Sequence, residues 1–335
     1  MTESRTYSLS ATDVQPEPEA QLLRAAGQGL RMLAADGPLR LAFSAPESPL
    51  RAALAPAAYR YLVADDRAGL LKRLQLLRQK RYQVSVEFVG EEITDPAEIE
   101  QVVEEYLALI EEDPEPAQLG FDLSNLGLLV SRDLAVRNTL RVLRAAATHG
   151  AEVLISMERS EFVDEVLGVF TELAETEANV GITLQAHLHR TEEDLDRILP
   201  LGRKIRLVKG VYAEPAAVAL PRGPELDERY LALAARAVGH GARTALATHD
   251  SRILAAADER GLLDGAEEIE MLHGVQPGLL KHYHDAGRTC RVYATYGQNW
   301  WLHFLHRLAE HPPMALTALA DLANGGRAEV GANDY

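Results

Sequence analysis

Cysteine is nearly missing from this sequence. Cys290 stands alone among 335 residues, so no internal disulfide can form and a disulfide-stapled secreted scaffold is excluded. The simplest expectation is a reducing compartment, the cytoplasm. Positive charge is also scarce: 34 lysines and arginines face 50 aspartates and glutamates, a formal charge of −16. Partners held mainly by charge, nucleic acid and anionic lipid among them, are therefore disfavoured. No apolar run approaches the roughly 18 residues expected of a membrane span. The N-terminal stretch MTESRTYSLSATDVQPEPEAQ has neither the apolar core of a signal peptide nor a basic amphipathic pattern, and residues 1–20 read as a flexible leader. A Gly-x-Gly-x-x-Gly turn after a strand is missing too, which argues against an open dinucleotide-binding sheet.

What is present is a change of texture. Residues 21–80 are rich in alanine, leucine and arginine at helical spacing, broken by Gly37-Pro38 and by the prolines between Ala45 and Pro56, and predict an N-terminal helical subdomain. Beyond it, short β-branched runs alternate with helical segments. The runs fall at 83–89, 118–123, 152–157, 180–185, 204–209, 243–248, 267–272 and 289–294, and a helix is expected near 298–311. Eight such βα repeats predict an α/β fold, a closed (β/α)8 TIM-type barrel over 81–323, followed by a flexible tail at 324–335.

In such a barrel, chemistry belongs where strands end and βα loops begin. Those positions hold Glu91, Asp122, Ser156 and Glu158, Gln185 with His187 and His189, Lys209 and Tyr212, His249 and Asp250, His273, and Tyr293. The four histidines raise the alternative of a metal-dependent hydrolase, although Arg190 beside His189 is a poor neighbour for a cation. On the last helix His303, His306, Arg307 and Glu310 share one face. That face either looks over the barrel mouth, where Arg307 could hold a carboxylate, or is a solvated outer stripe. Arg206 and Lys209 end a strand that emerges into Gly210. They call for an anionic counterpart, either a cofactor or an internal carboxylate.

The segments LGFDLSNLGL (119–128), ITLQAHLHRTEEDL (182–195), RLVKGVYAEP (206–215), LATHDSR (246–252), EIEMLHGV (268–275) and RVYATYGQNWW (291–301), running into HRLAEHP (306–312), resemble the proline dehydrogenases. Members of that family are FAD-dependent barrels that oxidise proline to pyrroline carboxylate. The resemblance implies FAD as cofactor. It implies Gln185 near the reactive flavin nitrogen, Arg206 beside the isoalloxazine, Lys209 and Gly210 as a flavin-contacting pair, and Thr248, His249 and Asp250 near the adenosine part. No metal is implied.

The substrate shell departs from the family pattern. The family's Tyr-x-x-Arg-Arg-x-x-Glu reads His303-x-x-His306-Arg307-x-x-Glu310, so one arginine of the carboxylate clamp is replaced. A lysine and an aspartate at the ends of the second and third barrel strands correspond to Asp122 and Ser156. Three of these changes alter charge, by −2, +1 and −1 with His306 neutral, a sum of −2. An imidazole does not reproduce a bidentate guanidinium. The expectation is therefore a flavin-dependent dehydrogenase or oxidase acting on a C–N or N–N bond of a small amine, imino acid or hydrazine-like compound other than plain proline. Asp122, Tyr212, Tyr293, His303, His306, Arg307 and Glu310 would form the catalytic pocket. Ordinary L-proline dehydrogenation is the alternative within the family. The electron acceptor, a quinone or oxygen, and the oligomeric state are left open.

Overall fold

The computed structural model describes residues 18–45, 47–90, 92–115, 117–310, 313–324 and 334–335. Eight parallel strands, β1 (Gln83–Phe88), β2 (Gln118–Phe121), β3 (Val153–Ile155), β4 (Val180–Gln185), β5 (Ile205–Val208), β6 (Thr244–Ala247), β7 (Glu268–Leu272) and β8 (Cys290–Tyr296), close in sequence order into a barrel. Closure is made by β8 on β1, in register from Gln83 opposite Arg291 to Phe88 opposite Tyr296. The expected (β/α)8 architecture is thus present, strand for strand.

Strand side chains alternate between two faces. One parity, including Val86, Ile182, Leu207, Ile269 and Val292, is buried in a continuous apolar layer with the surrounding helices. The other parity points into the lumen and is polar: Ser85 and Glu87 on β1, Thr183 and Gln185 on β4, Arg206 on β5, Glu268 and Glu270 on β7, and Arg291, Tyr293 and Thr295 on β8. Lumens of this architecture are usually filled by branched apolar residues, so this composition needs internal charge pairing. Side-chain caps start the helices where the sequence signals them. Asp95 accepts from Ala97 N ahead of the helix Pro96–Glu112, and Ser131 from Leu134 N ahead of Arg132–Thr148.

The N-terminal helices pack in two places. Helix Arg67–Gln79 inserts Leu70, Leu74 and Leu77 into the barrel's own core. Helices Pro18–Ala34, Gly37–Ser44 and Pro49–Ala58 instead share a second core with Trp301–Glu310 and Pro313–Asn324, centred on Phe43, Trp300, Trp301 and Phe304. Phe43 meets Trp300 edge-on at 4.6 Å, and Arg60 pairs with Asp321 at 2.7 Å. Helices from 18–58 and 301–324 therefore build one helical lobe beside the cavity. Within the expected tail, Tyr335 is buried, its hydroxyl accepts from Gly274 N at 2.9 Å, and its ring packs against Tyr82. The rest of that tail, 325–333, and residues 1–17 of the expected leader lie outside the described residues. Among the described residues no helix is long and apolar enough to cross a membrane.

Candidate active site

A cavity of about 1070 Å³ opens at the C-terminal end of the barrel, between the strand ends and the helical lobe. Ordinary small-molecule pockets occupy roughly 300–1,000 Å³, so there is room for a large cofactor with a small substrate. Every residue singled out from the sequence as catalytic or cofactor-binding lines this cavity, Glu310 excepted. Glu310 ends the helix Trp301–Glu310, and its side chain lies outside the described residues.

The innermost wall is a network around Arg206. Its Nε donates to Thr183 Oγ1 at 2.9 Å, Nη1 to Glu270 Oε1 at 3.0 Å and Nη2 to Ser156 Oγ at 3.0 Å, while the guanidinium lies 4.7 Å from the centre of the Tyr293 ring. Burial alone would make this guanidinium easier to deprotonate, but Tyr293 and Glu270 outweigh it and hold the proton more tightly. Of the two counterparts left open for Arg206, the structure contains the internal carboxylate, Glu270. Charge balance at Arg206 therefore does not by itself require a bound anion. The Tyr293 hydroxyl donates to Glu87, a lumen carboxylate that sequence reasoning passed over. Burial pushes Glu87 up, opposed by Tyr293, Arg206 and Arg307. Gly120 makes room for the contact, since a Cβ there would lie 2.6 Å from the Tyr293 hydroxyl.

The residues expected near a cofactor also come together on this cavity wall. Gln185 donates from Nε2 to Glu158 O at 2.7 Å, while its buried Oε1 has no partner, leaving an acceptor on the cavity wall. Gly210 has φ +111°, and a Cβ there would sit 1.6 Å from His187 Nδ1, so only glycine fits. Lys209 is held by Asp227 at 2.6 Å and Asp250 at 2.8 Å, again an internal answer to its charge. Asp250 also accepts from Arg252 N at the start of the helix Ser251–Glu259. Burial would raise its carboxyl, but hydrogen bonds from Arg252 and Lys209 win and hold it well below the usual range. Thr248 Oγ1 accepts from Asp250 N at 3.2 Å. Leu272 N–H donates to His249 Nε2 at 2.9 Å, which places that ring's proton on Nδ1. Burial, helped by Arg307, pushes His249 down to about 3.

The face of the last helix looks into the cavity rather than outward. His303, His306 and Arg307 all line it. His303 Nε2 lies 3.2 Å from Thr295 Oγ1, and burial followed by Arg307 pushes its imidazole down to about 3. Burial and neighbouring arginines push His306 down to about 4. Both are neutral at pH 7. Tyr212 is pushed well up by burial and by the carboxylates Asp122 and Glu158, so it remains a hydroxyl donor. Burial likewise raises Glu158, whose Oε1 accepts from Ser124 N at 3.0 Å.

The histidines behind the hydrolase alternative do not converge. His187 Nδ1 faces Lys209 O at 3.0 Å, His189 Nε2 faces Ala216 O at 3.0 Å, and His273 Nδ1 faces Tyr335 Oη at 3.0 Å. Among the described residues no three His, Cys, Asp or Glu side chains gather to hold a metal.

Comparison with known proteins agrees with this geometry. The sequence pattern of the family described as proline dehydrogenase matches residues 70–310. The chain is 30% identical over 263 residues to proline dehydrogenase 2 of Bacillus subtilis, covering 76% of this chain and 87% of that protein. It is 30% identical over 280 residues to a proline dehydrogenase of Deinococcus radiodurans, covering 80% and 90% respectively. Its fold superposes with a TM-score of 0.67 on proline utilization A from Bdellovibrio bacteriovorus inactivated by N-propargylglycine, at 17% identity over 86% of this chain, which spans 41% of that longer protein. Proline utilization A of Bradyrhizobium japonicum gives 0.64 at 20% identity, over 76% of this chain and 31% of that one. A barrel oxidoreductase with its site at the strand ends is the class so defined. This chain belongs to the proline dehydrogenase family.

Proposed function

We propose that the chain is a FAD-dependent dehydrogenase or oxidase that oxidises a C–N or N–N bond of a small amine, imino acid or hydrazine-like compound other than plain proline. The observation that carries this reading is the presence of two carboxyl groups, Glu87 and Asp122, in a cavity lined overall by eight basic and six acidic side chains. Glu87 and Asp122 lie at the ends of adjacent strands, and the one arginine that the helix Trp301–Glu310 supplies is Arg307. Two carboxylates there favour a protonated nitrogen and oppose a second carboxylate.

The residues present suit FAD. The orphaned acceptor of Gln185, the glycine-only turn at Gly210, the proton on Nδ1 of His249 and the cavity's volume form a cradle, with Arg206, Lys209, Thr248 and Asp250 completing it. When bound, FAD supplies the acceptor for the hydride. Arg206, fixed by Thr183, Glu270 and Ser156, presents positive charge with no need to reorient. Asp122, with Glu87 beside it, anchors the substrate's cationic nitrogen and takes the proton it releases. Tyr212 and Tyr293 stay protonated and orient the substrate. Neutral His303 and His306 exclude charge from the helix face, and Arg307, with Glu310 a turn further on, bounds the pocket.

The chain purified from a reducing cytoplasm should be yellow with non-covalent FAD. Anaerobic mixing with cyclic amines, amino acids and hydrazines identifies the substrate by bleaching, and a colourless protein that takes up no FAD would refute the cofactor assignment. A second reading, oxidation of proline itself, is favoured by the names of the relatives and by the retained Arg307. Turnover of proline with a dye acceptor separates the two. The same assay with a quinone or oxygen identifies the electron acceptor.

A further inference from the structure

Tyr335 lies beyond the residues 70–310 that match the family pattern, in the stretch read from the sequence as a flexible tail, yet it is only 5% exposed. Its ring stands edge-on to Tyr82 at 5.5 Å and stacks on His273 at 5.6 Å, and Tyr82 in turn stacks on His284 at 4.2 Å. Lys80 Nζ donates to Tyr335 O at 2.7 Å, so main chain and side chain are both held. The hydroxyl reaches the turn that follows β7. There three successive amides donate to three distant parts of the chain: Leu272 N to His249 Nε2, His273 N to Tyr293 O and Gly274 N to Tyr335 Oη, each at 2.9 Å. His249 and Tyr293 line the cavity, and so do Leu272, Val275 and Gln276 of the turn itself. Of the three acceptors Tyr335 alone lies off the cavity wall. Burial pushes the Tyr335 hydroxyl up and, with Arg73, pushes His273 down to about 4, so at pH 7 the phenol keeps its proton and His273 is neutral. With Gly274 N–H on one lone pair, the hydroxyl hydrogen is free to donate to His273 Nδ1 at 3.0 Å. A phenylalanine there would fill the same space and leave both groups unpartnered.

We infer that Tyr335 is a positioning residue for the cavity: its hydroxyl fixes the turn 272–276, and through the Leu272 N–H that turn fixes the ring of His249. It does not line the cavity, so it acts through other residues. Its seat between Tyr82 and His273 is a binding site for a phenol, filled by the chain's own tyrosine. The consequence for FAD rests on the cofactor reading above, which puts His249 near the adenosine part, whereas the pinning of the turn is testable without any cofactor.

Amide hydrogen exchange of the full chain before FAD is added, and its FAD affinity, are measured for the unmodified protein, Y335F, Y335A and L77A. The last opens the same apolar core without touching the turn. In Y335F, exchange at Leu272 and Gly274 should quicken about tenfold or more and FAD affinity should fall about tenfold, while L77A loses thermal stability and keeps its FAD affinity. Adding p-cresol to Y335A should restore FAD affinity, because it brings ring and hydroxyl to the emptied seat, whereas toluene, which brings the ring alone, should not. Unchanged exchange at Leu272 and Gly274 in Y335F would overturn the inference. So would an unchanged FAD affinity in Y335F, an equal loss in L77A, or equal rescue by p-cresol and toluene. Quickened exchange in Y335F, in a chain whose unmodified form takes up no FAD, would leave the pinned turn standing and defeat the cofactor reading instead.

Discussion

The two ends of the barrel lumen carry similar charged residues in different surroundings, a closed ion-pair cluster at the floor and an open cavity at the mouth. At the floor, Lys204 Nζ lies 2.7 Å from Glu268 and 2.9 Å from Glu267, and Arg291 Nε donates to Glu268 at 2.7 Å while Nη1 donates to Val84 O at 2.6 Å. Arg243 closes the cluster from outside on Glu267 at 2.7 Å. At the mouth, Gln185 Oε1 and Glu270 Oε2 are buried without partners, and burial raises Glu87 and Glu158. Both ends hold buried polar atoms without a hydrogen-bond partner, Gln118 Oε1 and Nε2 at the floor among them; they differ in that the floor cations sit against carboxylates, whereas Gln185 and Glu270 at the mouth line the cavity, where a ligand can reach them. Sequence texture alone does not separate the two, because both sets lie at alternate positions of short apolar strands.

The sharpest test of that difference is Arg206→Met. It strands the Glu270 carboxylate, so unfolding free energy in urea should fall by about 3–5 kcal/mol. FAD affinity should also fall about tenfold, about 1.4 kcal/mol. An unchanged flavin spectrum, affinity and redox potential would count against the assignment of Arg206. Lys204→Met, at the floor, is expected to cost about 3 kcal/mol, the low end of the same range, because Arg291 still partners Glu268. Here FAD affinity should not change, and a floor variant that loses flavin while folded would erase the distinction.

Gly120→Ala forces the Tyr293 hydroxyl away from Glu87. A loss of about 1–3 kcal/mol with a perturbed flavin environment is the expected outcome, read by urea unfolding and visible absorption. If the departures in the substrate shell redirected specificity, His306→Arg alone should not confer proline oxidation. The combined change Asp122→Lys, Ser156→Asp, His303→Tyr and His306→Arg should raise it about tenfold, about 1.4 kcal/mol in the barrier, in stopped-flow reduction. A further effect concerns acid stability. His303, His249 and His306 are pushed down from 6.5 to about 3, 3 and 4. Between those values and 6.5 the unfolded chain binds more protons. Their contribution is therefore complete above pH 6.5 and lost as pH falls toward 4. Thermal melts from pH 7 to pH 4 should show the decline, and His303→Gln should flatten part of it.

Much of this was legible in the sequence because barrels repeat. Eight apolar runs at βα spacing predict strands that the structure contains, and polar groups at their ends predict a wall that thirteen of the fourteen singled-out residues line. The thirteen are the fourteen less Glu310. The outward or inward turn of the last helix was not legible, since its four polar groups fit either. It is decided by Trp300, Trp301 and Phe304, which bury the opposite face against Phe43. Glu87 and Glu270 were passed over, yet they carried a signal. A charge at the same parity as Ser85 in QVSVEF, or as Glu268 in EIEML, must enter the lumen.

Anaerobic titration of the oxidised, FAD-loaded protein with L-proline, beside a panel of cyclic amines, other amino acids and hydrazines, tests whether Asp122 and the other departures in the substrate shell have redirected the family's chemistry. The flavin should bleach with a member of the panel and slowly or not at all with proline. Rapid, complete bleaching by proline would contradict the proposal and leave Asp122, Ser156, His303 and His306 as substitutions without consequence for substrate choice.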